Sequence, residues 1–207
     1  LTYFAVSSPE SWDAVWQNQV GSIAYRQTRK FKTTKESVAA WIRATELLAS
    51  RLEVEEFDEG RLRDALGPLR RLTMLRADKI MEPVQQICAT AGVAVVWVPE
   101  FPHTGISGCA RWIAGTRALV ALSLRYKTDD QMWFTFFHEI GHILLHRRKQ
   151  AFVLDNAHSS LNDTVVDPEM REVEDEANQF AANTLIPPQL LEAFLSRSRA
   201  VDNDALK

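Results

Sequence analysis

Positions Val38, Trp41, Ile42, Thr45, Leu48 and Leu52 follow one another at spacings of three and four. That is the period of one helix face, so an amphipathic helix is predicted there, opened by a Thr33/Glu36 capping box. Leu62, Ala65, Leu66 and Leu69 predict a second helix, interrupted near Gly67-Pro68, and Ile80, Val84 and Ile87 a third that stops at Gly92. The period then changes. VAVVWV after Gly92, ISGCARWI after Gly105 and ALVALSL after Arg117 are short β-branched or aromatic runs separated by Pro and Gly, which predicts three strands of one small sheet. Thr128, with Gln131 three residues on, opens a helix that runs to about Arg148. A polar connection leads to a further helix from near Glu169 to Leu185, ended by Pro187-Pro188, and a short terminal helix spans about Leu190 to Leu195. The expected fold is α+β, a sheet of three or more strands with packed helices, divided into a helical region 1–90 and a second domain 91–207.

At 207 residues and 46% apolar composition the chain can bury a sizeable core. With 24 basic and 27 acidic side chains, overall charge favours neither a nucleic-acid nor a membrane surface. Arg26, Arg29, Lys30, Lys32 and Lys35 form a local basic stretch, read as a solvated approach to a helix rather than a nucleic-acid contact. Cys88 and Cys109 lack metal-ligand spacing and are too few for a disulfide framework, so buried packing roles and a reducing, cytoplasmic setting are expected. No stretch approaches the about 20 apolar residues of a membrane span. The chain starts at Leu1 and closes on RAVDNDALK without a terminating signature, which reads as a piece of a longer protein.

The chemistry concentrates in HEIGH, residues 138–142. On a helix, His138 and His142 are separated by about 40° and about 6 Å of rise, so both imidazoles reach one ion. Glu139 lies about 100° from His138, placed to act on a water rather than to ligate. Trp133, Phe134, Phe136, Phe137, Ile140, Ile143, Leu144 and Leu145 make this helix apolar on nearly every face, so it is expected to be buried. Buried ionisable groups need partners, and a divalent cation satisfies both imidazoles and a carboxylate together.

A catalytic zinc takes a third protein ligand and leaves one position for water. The candidates are Glu174, Glu172, Glu176, His158 and His146. His146 stands about 12 Å of helix rise beyond His138, too far for bonds of about 2 Å, and is better read as a helix-end histidine near the C-terminal dipole. Glu174 is favoured because Asn178 follows one turn later on the same face, where its amide can hydrogen-bond a ligand imidazole.

HEIGHILLH followed by EDEANQFAANTLIP resembles the ImmA/IrrE family of bacterial and phage metallopeptidases, in order and spacing, over roughly residues 93 to 190. The resemblance implies a zincin-like domain in which His138, His142 and Glu174 bind zinc and Glu139 is catalytic. Thr184 and Ile186 depart from the commoner Leu-Leu-Met-Pro ending, a packing difference away from the ligands. Many relatives carry a helix-turn-helix domain and act in stress response, mobile-element control or toxin-antitoxin regulation. The resemblance therefore implies a regulatory protein as substrate, and DNA contact through a domain absent from this chain.

Peptide-bond hydrolysis is thus the expected activity, with Tyr126, His158 and Arg111 as candidate oxyanion donors. The strand Ser107–Ile113 offers either an edge for an extended substrate or an internal strand. Two competing readings are a regulator with a structural or sensory zinc and an antitoxin-like interaction module. Neither needs Glu139, and a structural site would close its fourth position with Cys or His.

Overall fold

Residues 2–21, 24–27, 34–113, 115–123, 128–146 and 168–205 are described by a computed structural model. Its strands are β1 (Ala24–Gln27), β2 (Val93–Val98), β3 (Ile106–Ile113) and β4 (Arg117–Ser123). They form one sheet in the order β1-β3-β4-β2, with β2 parallel to β4 and the other two pairings antiparallel. Helices α1 (Pro9–Gly21), α2 (Lys35–Ala49), α3 (Glu59–Arg71) and α4 (Met81–Thr90) precede or lead into the sheet, and α5 (Asp129–Leu145), α6 (Pro168–Leu185) and α7 (Pro188–Ala205) follow it. The α+β expectation holds, and helices cover both faces of the sheet.

Alternation along the strands divides the core in two. Val93, Val95, Ala110, Ala118, Val120 and Leu122 face α3, α4 and α5, where Leu62, Leu69, Val84, Phe136, Phe137 and Ile140 complete one cluster. Ala94, Val96, Ile106, Cys109, Leu119 and Ala121 face the other way, against Trp16 of α1 and Val38, Trp41 and Ile42 of α2. Because β2 is covered on both faces, it reads as a continuous apolar run rather than an alternating one. Cys88 and Cys109 are buried, one in each cluster, and burial pushes the Cys88 thiol up to about 12 and Cys109 well above its ordinary value, so both are inert packing residues.

Several local expectations change. Strand β1 arises inside the region predicted as helical, because four residues carry no period that a sequence pattern can register. It pairs Ala24 with Ala110, Tyr25 with Cys109 and Gln27 with Ile106, so β3 is internal over that stretch rather than open to an added strand. Of the basic stretch, Arg26 lies in β1 and Lys35 opens α2, while Arg29, Lys30 and Lys32 fall outside the described residues. The α2 cap is Thr34, whose side chain accepts from the Ser37 amide; Thr33 is outside the described residues. Helix α3 is not interrupted at Gly67-Pro68 but runs on to Arg71. Losing one backbone bond at Pro68 is offset by burial of Leu69, which is fully inaccessible.

Gly92 ends the α4 connection at φ +80°, where a Cβ would meet the Phe57 backbone at 2.2 Å, so only glycine fits between that crossing segment and the start of β2. Helix α5 begins after Thr128, but the Thr128 hydroxyl bonds the Asp130 carboxylate instead of capping a backbone amide, and the helix ends at Leu145 with His146 as its C-cap. Arg148 is outside the described residues. No helix among the described residues is long and apolar enough to cross a membrane.

Candidate metal centre

Helix α5 carries its polar residues into the core because its remaining surface is apolar. Trp133, Phe136, Phe137, Ile140 and Ile143 bury it against the sheet, and His138, Glu139, His142 and His146 are fully inaccessible with them. Helix α6 packs along α5, and Gly141 permits the close approach: a Cβ there would stand 3.1 Å from the Phe180 ring and 3.4 Å from Ala177 Cα. That approach brings the face of α6 bearing Glu174 and Asn178 onto HEIGH.

The imidazole Nε2 atoms of His138 and His142 lie 3.0 Å apart. Glu174 spans both, with Oε2 at 3.3 Å from His138 Nε2 and Oε1 at 3.4 Å from His142 Nε2. Among the described residues these three form the group of His, Cys, Asp or Glu side chains whose donor atoms converge. A tetrahedral zinc with bonds of about 2.0–2.1 Å places its ligands about 3.3–3.4 Å apart, so the spacing suits such an ion. Glu172 is exposed and lines a groove along α6 with Pro168, Arg171, Asp175, Glu176 and Gln179. His158 and Tyr126 are outside the described residues.

The donor set itself calls for a cation. His138 Nδ1 lies 3.1 Å from Asn178 Oδ1, so that ring donates outward and its Nε2 presents a lone pair inward. Burial holds the His142 pKa below its ordinary value against the opposing pull of Glu174, which favours a neutral ring. Burial raises the Glu174 carboxyl, but the two imidazoles beside it outweigh this and hold it at about 2. Lone pairs of two imidazoles and a carboxylate aimed at one point repel unless a positive charge lies between them.

Glu139 faces β3. A Cβ added at Gly108 would stand 2.6 Å from Glu139 Oε1 and 2.6 Å from Thr135 Cγ2, so glycine provides the room the carboxylate occupies. Arg111, an oxyanion candidate from sequence, is on the wrong face. It alternates with Gly108 and Ala110 along β3 and pairs with Glu46 of α2 at 2.7 Å, with Glu46 also held by Arg43 at 2.8 Å.

Sequence reasoning missed two further contacts. His146 is not simply a helix-end residue: its Nδ1 lies 3.1 Å from His142 Nδ1 and its Nε2 lies 2.8 Å from Glu176 Oε2. The spacing of four from His142 was a visible signal, whereas nothing in the sequence paired His146 with Glu176. The clearance at Gly108 was equally invisible, since it depends on which strand crosses α5.

The family model described as the IrrE N-terminal-like domain, a peptidase family, matches residues 103–207, half of the chain, and the chain belongs to that family. No curated protein matches the chain.

Proposed function

We propose that this member of the IrrE N-terminal-like peptidase family is a zinc-dependent metallopeptidase that cuts a peptide bond in a regulatory protein. One observation carries the reading: three Lewis-basic side chains converge at 3.0, 3.3 and 3.4 Å, with the carboxylate of Glu139 buried on the same helix. His138, His142 and Glu174 would hold the metal and leave a position open. Zinc, when bound, supplies a Lewis acid that polarises the scissile carbonyl and makes the attacking water more acidic.

The chain's own residues supply the rest. Glu139 accepts the proton of the attacking water at its carboxylate and delivers it to the departing amine. Its seat against Gly108 holds that carboxylate in one place, so no reorganisation is needed as the proton moves. Glu174 is the ligand with solvent access, its side chain 29% exposed, so substrate approaches from the α6 side. With β1 paired to Ile106–Ala110, a substrate strand reaches that stretch of β3 by displacing β1. A regulatory substrate is supported by the resemblance of HEIGHILLH and EDEANQFAANTLIP to the ImmA/IrrE peptidases.

The test is zinc-loaded wild type beside Glu139→Gln, each incubated with a peptide library and read by mass spectrometry for new termini. Cleavage by wild type alone, with zinc retained in both, is expected. Absence of cleavage in the zinc-loaded wild type, against both the library and candidate regulators, would replace this reading with a metal-containing regulator or interaction module.

A further inference from the structure

The two histidines of the centre are held from behind in different ways. His138 is backed by one side chain, the Asn178 amide. His142 is backed by a second imidazole, which is backed in turn by a carboxylate on another helix. Both supports come from α6, from the two residues flanking buried Ala177. Each flanking residue is rotated about 100° from Ala177, in opposite senses, so Asn178 reaches the first histidine and Glu176 passes to the far end of α5.

The longer chain has a direction. An ionised carboxylate only accepts hydrogen bonds, so at 2.8 Å Glu176 Oε2 receives the proton on His146 Nε2. A neutral imidazole protonated at Nε2 has a lone pair at Nδ1. That lone pair faces His142 Nδ1 at 3.1 Å, so His142 is the donor and carries its proton on Nδ1. Its Nε2 is then left with the lone pair, and Nε2 is the atom aimed at His138 Nε2 and Glu174.

We infer that the Glu176–His146 pair is a positioning relay that selects the ligating tautomer of His142 and fixes its ring toward the metal. This rests on the metallopeptidase reading above. His146 is fully buried and touches His142 rather than the reacting atoms, and Glu176 is 44% exposed, so the relay runs from the site to the surface in two hydrogen bonds. Carboxylates that orient metal-bound histidines are a recurrent device, and here an extra imidazole extends the reach of the carboxylate by one ring.

The experiment measures zinc affinity by competition with a chromophoric chelator, and the visible absorption of the cobalt-substituted protein as a readout of coordination. Wild type is set beside His146→Leu, His146→Asn and Glu176→Ala, with metal-free melting curves checking the fold. His146→Leu keeps an apolar filler but no acceptor, and its zinc affinity is expected to fall about 10–100-fold. His146→Asn places an amide oxygen where Nδ1 was and is expected to recover most of that loss, with a cobalt spectrum close to wild type. Glu176→Ala, at a partly exposed position, is expected to fold normally and lose affinity to a smaller extent than His146→Leu.

Wild-type affinity in His146→Leu would overturn the relay, as would an Asn variant no better than the Leu variant. Should His146→Leu fail to fold, an unchanged affinity in Glu176→Ala would overturn it by itself. Wild type that binds no zinc would remove the peptidase reading and this inference together, whereas normal wild-type binding with indifferent variants removes only the relay.

Discussion

The two faces of the sheet are built from the same strands yet do different work. Toward α5, β3 presents Gly108 and Ala110, small residues that let a helix with four buried polar side chains lie close. Toward α2 it presents Cys109 and Arg111, and there the space is filled by Trp41 and Ile42 and closed by the Arg43–Glu46–Arg111 ion pairs. One face gives up side-chain volume to seat chemistry, and the other takes it up to hold the sheet. Packing density allows no third option, since interiors are filled to about 0.74–0.76 of their volume.

The difference predicts that lesions on the two faces separate stability from chemistry. Trp41→Ala, on the packing face, should lower unfolding free energy by about 3–5 kcal/mol while the folded fraction keeps wild-type zinc affinity. Denaturant melts with a metal titration would check it, and weakened zinc binding would break the distinction. Gly108→Ala, on the chemical face, should do the reverse. The added Cβ pushes the Glu139 carboxylate from its seat, and a displacement of that order costs about 100-fold in hydrolysis, with zinc retained.

Acid should act through the chemical face. His142 is lowered from 6.5 and Glu174 from 4.5 to about 2, so in the metal-free protein both contribute stability that is complete above about pH 6.5. That stability fades as pH falls, first through the histidine and then, below about 4.5, through the carboxylate as pH approaches 2. Melting temperatures of the metal-free protein should therefore be level above pH 6.5 and drop below it. Glu174→Gln should lose less between pH 5 and 3 than wild type, and an equal loss would show that other groups dominate. The smallest effect is expected at Glu46→Gln: its arginine partners are about one-fifth exposed, and the ion pairs contribute about 1 kcal/mol, visible in the melt but not in zinc affinity.

Much of the centre was legible because it is local. His138 and His142 share a helix face by their spacing alone, and Glu174 with Asn178 does the same one helix later, so period 3.6 put both pairs within reach of the answer. The three runs of β-branched residues likewise became β2, β3 and β4 with bounds close to those expected. Arg111 shows where this ends. Its proximity to HEIGH in the chain suggested a catalytic role, but alternation along β3 sends it to the opposite face, toward Glu46, 65 residues away.

By itself, then, the sequence determined which residues could share one face of one element, and with them the candidate ligands, the base and the sheet that supports them. Only the tertiary structure decided which faces meet. Packing of α6 on α5 through Gly141 joined His146 to Glu176, the crossing of β3 over α5 required glycine at 108, and the pairing of β1 took the free edge of β3. Helix and strand periods are set by backbone geometry over a few residues, whereas the partner of a face depends on shape and volume contributed by segments far away in the chain.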